Sequence, residues 1–413
     1  MKVIVIGGGA AGMLAAITAS KEGNKVTLIE KTSSLGNKVK ITGKGRCNVT
    51  FDGDIEDFEK NVVNNFKFLY SSFNNFSNKD LVNYLEELGV KTKVERGGRI
   101  FPQSDRAQDI VDAFKKELVK YNVNILYNTD VKEIIQENGI AIEVITSDKK
   151  RISFDKCILA TGGMSYSKTG SDGYGYKIAE KLGHSIVDIK PGLVPLRSND
   201  NDCKELQGLS LRNVKLKLYD EQNMIYEGFG EMLFSHFGIT GPIVLSGSSK
   251  LNRIHNLENK FTNGQIYGII DMKPAIDLET IDNRICREFT NYSNKEFKNS
   301  MNELLPKKLI PVVIRRSGID PDKKVHQINK EERQNLVDTI KNFRIAISGL
   351  MPVEIGIVTA GGINVKEVNP KTMESKITKN LYFAGEILDI DALTGGFNLQ
   401  IAFATAYAAG KNY

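Results

Sequence analysis

The chain has 413 residues, 41% of them apolar and 26% charged, with a formal net charge of +6; this is room for two or three soluble globular domains and excludes a disordered or collagen-like polymer. Its four cysteines, Cys47, Cys157, Cys203 and Cys286, are scattered without a CxxC pair, which argues against a metal site or a disulfide scaffold and for reduced thiols in a cytoplasm. The opening residues read as a strand, so no secretory leader is expected; no apolar run is long enough to cross a bilayer, and so mild a charge excess permits an anionic cofactor or nucleic acid without requiring either.

In chain order, Val3 to Ile6 is a short apolar run of the kind a parallel strand covered on both faces requires. Gly7, Gly9 and Gly12 follow in GxGxxG spacing. The first permits a tight turn, the second a close backbone approach to a pyrophosphate, and the third close packing of helix on strand. Ala10 to Glu22 reads as an Ala-rich helix whose N-terminal N–H groups face the phosphates, and Lys25 to Ile29 as the next strand. Glu30 ends that strand, where a carboxylate accepts hydrogen bonds from an adenosine ribose and disfavours a 2'-phosphate. The expected ligand is therefore FAD or NAD rather than NADP.

The stretch KTSSLGNKVKITGKGRCNVT carries glycines among Lys38, Lys40, Lys44 and Arg46 without an apolar period, and reads as a loop over that ligand. Asn78 to Leu88 and Ser104 to Lys120 are amphipathic helices, separated by the Gly- and Arg-rich turn RGGRIFPQSDR. From Val123 the segments VNILYN, VKEIIQ, IAIEVIT and RISFD suggest an antiparallel meander leading into CILATGG, a further apolar strand. Pro191 to Asn263 reads as antiparallel strands, and Asp277 to Arg344 as helical, with Asn329 and Glu332 spaced as a capping box. This block is expected to be an insertion, because Gly356 to Val365 and Leu381 to Gly385 return to the opening texture.

The return segment, NLYFAGEILDIDALTGGFNLQIAFATAYAAG, ends an apolar strand in Gly385-Glu386, an acid placed to bind the ribityl hydroxyls of a flavin. Gly395 and Gly396 then open a helix, Phe397 to Ala409, that is apolar on nearly every face and so should be buried. Its N-terminal dipole suits the negative charge that develops at the pyrimidine edge of a flavin accepting hydride.

The segments TGKGRCNVT, RIFPQSDRAQDIV, ATGGMSYSKTGSDGYGY, LFSHFGITGP and EVNPKTMESK, with the C-terminal segment above, resemble the bacterial FAD-binding oxidoreductases of the aminoacetone-oxidase-like and bile-acid-reductase-like kind. The resemblance runs along essentially the whole chain. It implies an α/β fold: a split FAD/NAD(P)-binding Rossmann domain of the glutathione-reductase type, with an inserted β-barrel and a small helical domain. The expected boundaries are 1–190 and 345–413 for the FAD domain, 191–276 for the barrel and 277–344 for the helices. It also implies FAD contacts at Gly7, Gly9, Ala11, Gly12, Glu30, Lys31, Lys38, Thr42, Gly43, Arg46, Asn48, Val131, Thr161, Gly162, Gly385, Glu386, Asn398 and Leu399, to which the helix reading adds Gly396.

The function expected from these features is hydride transfer between flavin N5 and a small organic substrate lying between the FAD domain and the insertion. Candidate liners are Arg46, Tyr166, Tyr174, His236, Asp391 and Phe397, each of which also has a plain structural account, His236 above all. A reductase fed by NAD(P)H comes first. With no second GxGxxG unit, the nicotinamide would bind transiently at the flavin face. An oxidase passing electrons from an aminoacetone-like amine to oxygen is the alternative, and a flavoprotein that binds or modifies RNA the third. The last requires a basic, aromatic-studded face; the nearest stretch, KKLIPVVIRRSGIDPDKK, has no aromatic residue, so nucleic acid is not the expected partner.

Overall fold

A computed structural model describes residues 1–412. The opening apolar run forms the strand Lys2–Ile6, the centre of a parallel five-stranded sheet in the order Leu381–Phe383, Lys156–Leu159, Lys2–Ile6, Lys25–Ile29 and Asn124–Leu126. Val3 to Ile6 are at most 5% exposed, as a strand covered on both faces must be. The helices Ala10–Lys21 and Phe397–Gly410 pack against each other with short side chains between them. A Cβ at Gly410 would stand 2.8 Å from the Ala15 carbonyl oxygen. The two ends of the polypeptide thus close on one sheet.

Before residue 193, three segments differ from the sequence expectation. VNILYN supplies the fifth parallel strand, Asn124–Leu126, rather than part of the meander, because Thr27, Leu28 and Ile29 pair with it through backbone groups that carry no sequence pattern. The meander itself has three strands, Val131–Glu137, Ile140–Thr146 and Arg151–Ser153. The Gly- and Arg-rich turn is a hairpin, Thr92–Glu95 with Arg99–Pro102, turning at Gly97 and Gly98 and joined by Thr50–Phe51. The supposed loop after Glu30 contains a short helix, Asn37–Ile41, in which only Val39 is buried, too little for an apolar period to show.

The chain divides into two compact units, 1–192 with 352–413, and 193–351. In the second, seven antiparallel strands run in the order Phe343–Ala346, Ile266–Asp271, Ser210–Asp220, Asn223–Ser235, Gly238–Thr240, Leu196–Arg197 and Gly349–Leu350. The two edge strands are separated in sequence only by Ile347 and Ser348, a span of about 11 Å at most, so the sheet curls back almost to closure. The helices Pro242–Leu251 and Leu257–Thr262 interrupt what reads as an all-strand stretch. Leu278–Asn291, Ile310–Ser317 and Lys330–Lys341 share one core with the sheet, in which Ile285, Val313 and Ile340 join Leu216, Leu218 and Ile270. The capping box forms as expected: Glu332 accepts from the Asn329 amide at 2.9 Å and donates its own amide to Asn329 Oδ1 at 3.0 Å.

Candidate active site

The site is built in the first unit, where the glycine turn leaves the central strand. Gly7 takes φ +102, a conformation that favours glycine, and a Cβ there would lie 2.5 Å from the Ala160 carbonyl oxygen. Gly12 allows the helix to close on the turn, since a Cβ on it would meet the Gly7 oxygen at 1.7 Å. Gly9 differs from both: nothing of the protein stands within 4 Å of its Cβ position. The turn is therefore open on the side of Gly9, where a pyrophosphate would have room to approach.

Glu30 is 7% exposed at the end of Lys25–Ile29. Its carboxylate accepts from the Gly8 amide at 2.7 Å and from the Thr32 amide and hydroxyl at 2.8 and 2.7 Å. The segment entering the meander is tied to the same point, the Thr129 amide donating to the Glu30 carbonyl at 3.0 Å, and Val131 follows, buried. Lys31 pairs with Asp172 at 2.8 Å. Gly170 comes close enough that a Cβ there would touch Thr32 and Lys31, so the loop after ATGG lies against the acid.

The C-terminal strand brings Gly385 against the glycine turn, where its Cβ would stand 2.8 Å from that of Ala11. Glu386 then joins a network with no local signature. Lys38 donates to its Oε2 and to Ser165 Oγ, each at 2.6 Å, while Ser165 Oγ and the Thr359 amide donate to its Oε1 at 2.9 and 2.8 Å. Burial opposes the charge of Glu386, but the Lys38 ammonium, the Thr359 amide and the Ser165 hydroxyl outweigh it and hold the carboxyl below its ordinary value. Ser165 and Thr359 escape sequence reading because they lie 194 residues apart and meet Glu386 only through the fold.

The helix Phe397–Gly410 begins at Gly396, whose φ of +99 and whose Cβ position 2.4 Å from the Thr50 carbonyl oxygen both call for glycine. No side chain caps it, so the amides of Phe397, Asn398 and Leu399 are left as donors at its positive end. The Asn398 side chain instead ties down the preceding turn, accepting from the Ala392 amide at 2.9 Å and donating to its carbonyl at 2.8 Å. Thr50 Oγ1 donates to Gln400 Oε1 at 2.8 Å, pinning the strand Thr50–Phe51 to the first turn of the helix.

Between these parts runs the loop from Thr42 to Asn48. Gly43, Lys44, Gly45 and Cys47 all have positive φ, and Arg46 clamps the strained segment. Its guanidinium bonds Asp105 at 2.5 and 2.8 Å, pairs with Glu95, and lies 4.2 Å over the Phe101 ring. These hydrogen bonds hold its pKa above the usual value, so Arg46 is a charged strut for the loop. Thr42 Oγ1 donates to the Val39 carbonyl at 2.7 Å. The Cys47 thiol is buried and pushed up to about 12 by burial, which keeps it protonated and inert.

The other sequence candidates are placed as follows. Gly162 has φ +73 beside Ser171, and the Thr161 hydroxyl lies 2.0 Å from where a Cβ at Gly175 would stand, facing the next helix. Tyr174 donates its hydroxyl to the Lys132 carbonyl at 3.1 Å on the meander. Tyr166 has φ +52. Phe397 is 2% exposed among Phe51 and Phe58, a core position. Asp391 is buried, its carbonyl accepting from the Val63 amide at 2.8 Å. His236 belongs to the second unit, exposed at the turn after Asn223–Ser235 with its ring edge-on to Phe237. Among the described residues no cluster of His, Cys, Asp or Glu could hold a metal ion, and no helix is long and apolar enough to cross a membrane.

The residues present suit FAD. The open face of Gly9, an acid at the second strand's end, a second acid at the C-terminal strand's end, uncapped helix amides and a buried Asn48 oxygen without a hydrogen-bond partner stand in one unit. The family model described as HI0933-like protein Rossmann domain matches residues 1–412. The chain belongs to this family. It is an FAD-dependent oxidoreductase with a Rossmann-type FAD-binding domain. It is 28% identical to the 3-dehydro-bile acid delta(4,6)-reductase of Clostridium scindens, over 99% of this chain and 98% of that protein. It is 30% identical to the ribosomal RNA dihydrouridine synthase of Escherichia coli, over 99% of this chain and 97% of that one. Among solved structures, the 3-ketosteroid-delta4-(5alpha)-dehydrogenase of Rhodococcus jostii shares its fold at a TM-score of 0.54 and 15% identity, over 99% of this chain and 95% of that one.

Proposed function

We propose that this chain reduces a carbon–carbon double bond conjugated to a carbonyl, with NAD(P)H as the electron source. The observation that carries the reading is that two relatives matched along their whole length, one acting on a bile acid and one on ribosomal RNA, bear names that denote this same reduction on unlike substrates. Bound FAD supplies the hydride-accepting and hydride-donating centre. The chain's own residues hold it: the Gly7 to Gly12 turn takes the pyrophosphate, Glu30 the ribose, and Glu386, kept ionised by Lys38, the ribityl hydroxyls. The amides at the start of Phe397–Gly410 favour negative charge at the ring's far edge.

The test is anaerobic. Holoenzyme mixed with NADH or NADPH should lose its flavin absorbance and regain it on addition of an enone, with the saturated ketone as product. Reduction by neither nucleotide refutes the donor assignment, and reduced enzyme that leaves every enone untouched refutes the substrate class.

A uracil ring in RNA is the second reading, and one surface supports it. On the solvent face of the curled sheet, Arg344 lies 3.9 Å over Tyr267, which stacks on Tyr219 at 5.1 Å, with Phe229 58% exposed two strands from Tyr267 and Lys215 and Lys217, both paired with Glu227, on the same strand as Tyr219. Aromatic rings beside cations are what unpaired bases stack on. The stretch KKLIPVVIRRSGIDPDKK, in which Arg315 and Arg316 pair with Asp202, has no aromatic ring beside its cations. Ribosomal RNA from a deletion strain, analysed for dihydrouridine, separates the readings: unchanged content rules the RNA substrate out.

A further inference from the structure

His184 lies just past the helix Tyr174–Lys181, its side chain buried. Nε2 stands 2.8 Å from Ser375 Oγ and Nδ1 3.2 Å from Glu367 Oε2. A serine, a histidine and an acid in line would suit a hydrolase, but Ser375 Oγ also accepts from the Ile377 and Thr378 amides at 3.0 and 2.8 Å. Both its lone pairs are engaged and Ser375 is 6% exposed, so it is no nucleophile.

The same bonds fix where the protons are. With two amides on the oxygen, the single Ser375 proton is left for Nε2, and His184 carries its own proton on Nδ1, donated to Glu367. A second ring proton, on Nε2, would meet the hydroxyl proton head-on, and the hydroxyl could turn away only by giving up an amide. The charged neighbour of the ring is Glu367, which also accepts from the Ser185 amide at 2.9 Å. Ser375 on the other side and the Phe383 ring, edge-on at 4.8 Å, are neutral. Glu367 favours the imidazolium, but burial opposes it more strongly and holds the pKa of His184 below its ordinary 6.5.

What the histidine joins is the end of that helix and the turn that opens the strand Leu381–Phe383. The Ser375 amide donates to the Leu381 carbonyl at 2.7 Å, and Thr378 Oγ1 to the Leu182 carbonyl at 3.1 Å. Leu381–Phe383 ends the five-stranded sheet, and its outer side is bonded to this same segment, the Phe383 amide donating to the Met373 carbonyl at 3.0 Å. Glu386 follows directly after the strand. We propose that His184 is a positioning residue for Glu386, a proton-operated lock that holds this turn closed when neutral and lets it open when protonated, so that acid loosens the grip on the flavin. The last clause rests on the flavin reading of the site.

At pH 5 an imidazole of ordinary pKa is about thirtyfold more protonated than neutral, which is the most that opening can gain over pH 7.5. Glu386 stays ionised there, its carboxyl being held below an ordinary 4.5. Hydrogen exchange of the full-length holoenzyme, corrected for the intrinsic pH dependence of exchange, should show protection of the Ile377 and Thr378 amides falling by about fivefold to thirtyfold from pH 7.5 to 5. In His184→Gln, whose amide oxygen can accept from Ser375 but does not titrate, the fall should be less than about twofold. FAD release, followed by the fluorescence of the freed flavin, should quicken in acid in wild type and not in the variant. Nitrogen NMR of the His184 ring at pH 7.5 should find its proton on Nδ1, and decides the matter if the variant does not fold. A proton on Nε2, flat wild-type protection, or an equal fall in His184→Gln overturns the lock. Release that quickens equally in both proteins while their exchange differs overturns the link to Glu386, and a wild-type chain that takes up no FAD overturns the flavin reading itself.

Discussion

Replacing Gly9 by alanine separates the requirements of the fold from those of the cofactor. The backbone there is extended, φ −77 and ψ −168, which any residue adopts, and no atom lies within 4 Å of the new methyl. Restricting the unfolded chain favours alanine by about 0.4–1 kcal/mol, while loss of a glycine helix cap opposes it by a similar amount. The cofactor-free protein should thus stay within about 1 kcal/mol of wild type, a melting shift of no more than about 4 °C. The methyl instead occupies the side from which a pyrophosphate approaches the turn. Crowding a packed contact costs about 1–3 kcal/mol, which is roughly fivefold to more than a hundredfold in Kd. Titration with FAD reads the second quantity and calorimetry of the cofactor-free form the first. FAD affinity within threefold of wild type would refute the assignment of the turn to phosphate, and a large loss of cofactor-free stability would show that the open space had been misjudged.

Gly12→Ala should behave in the opposite way. Its methyl meets a backbone oxygen at 1.7 Å, so the cofactor-free fold itself should lose about 3 kcal/mol; an unchanged urea midpoint would contradict the close helix-to-turn packing. Glu386 has a folded pKa below its ordinary 4.5, so its contribution to stability is complete above that value and is lost as pH falls through the lower folded one. Melting curves of Glu386→Gln should lack this acid limb, and parallel acid limbs in both proteins would count against the Lys38 pairing. Lys156, 4% exposed, is lowered by burial to about 8 from an ordinary 10.5. The unfolded chain therefore binds its proton more readily, and stability should rise as pH climbs between those values. Lys156→Met should flatten that rise, and a wild-type profile already flat there would show the amine to be solvated.

The sequence alone determined the dinucleotide turn, because each of its demands is local: an apolar strand, glycines at fixed spacing, a helix and an acid lie within thirty residues. The last helix was legible for the same reason, since a segment apolar on every side can only be buried. Tertiary structure decided what pairs across distance. Asn124–Leu126 joins the parallel sheet by backbone bonding, which is blind to side-chain type. Lys38, Ser165, Thr359 and Glu386 meet from four separate segments. Phe397, open to a substrate role by its position in the chain, is covered by Phe51 and Phe58, and the Tyr219, Tyr267 and Arg344 stack exists only because three antiparallel strands share one face. Local spacing sets which conformations a segment can adopt; which partners it finds depends on how the surrounding chain closes the space around it.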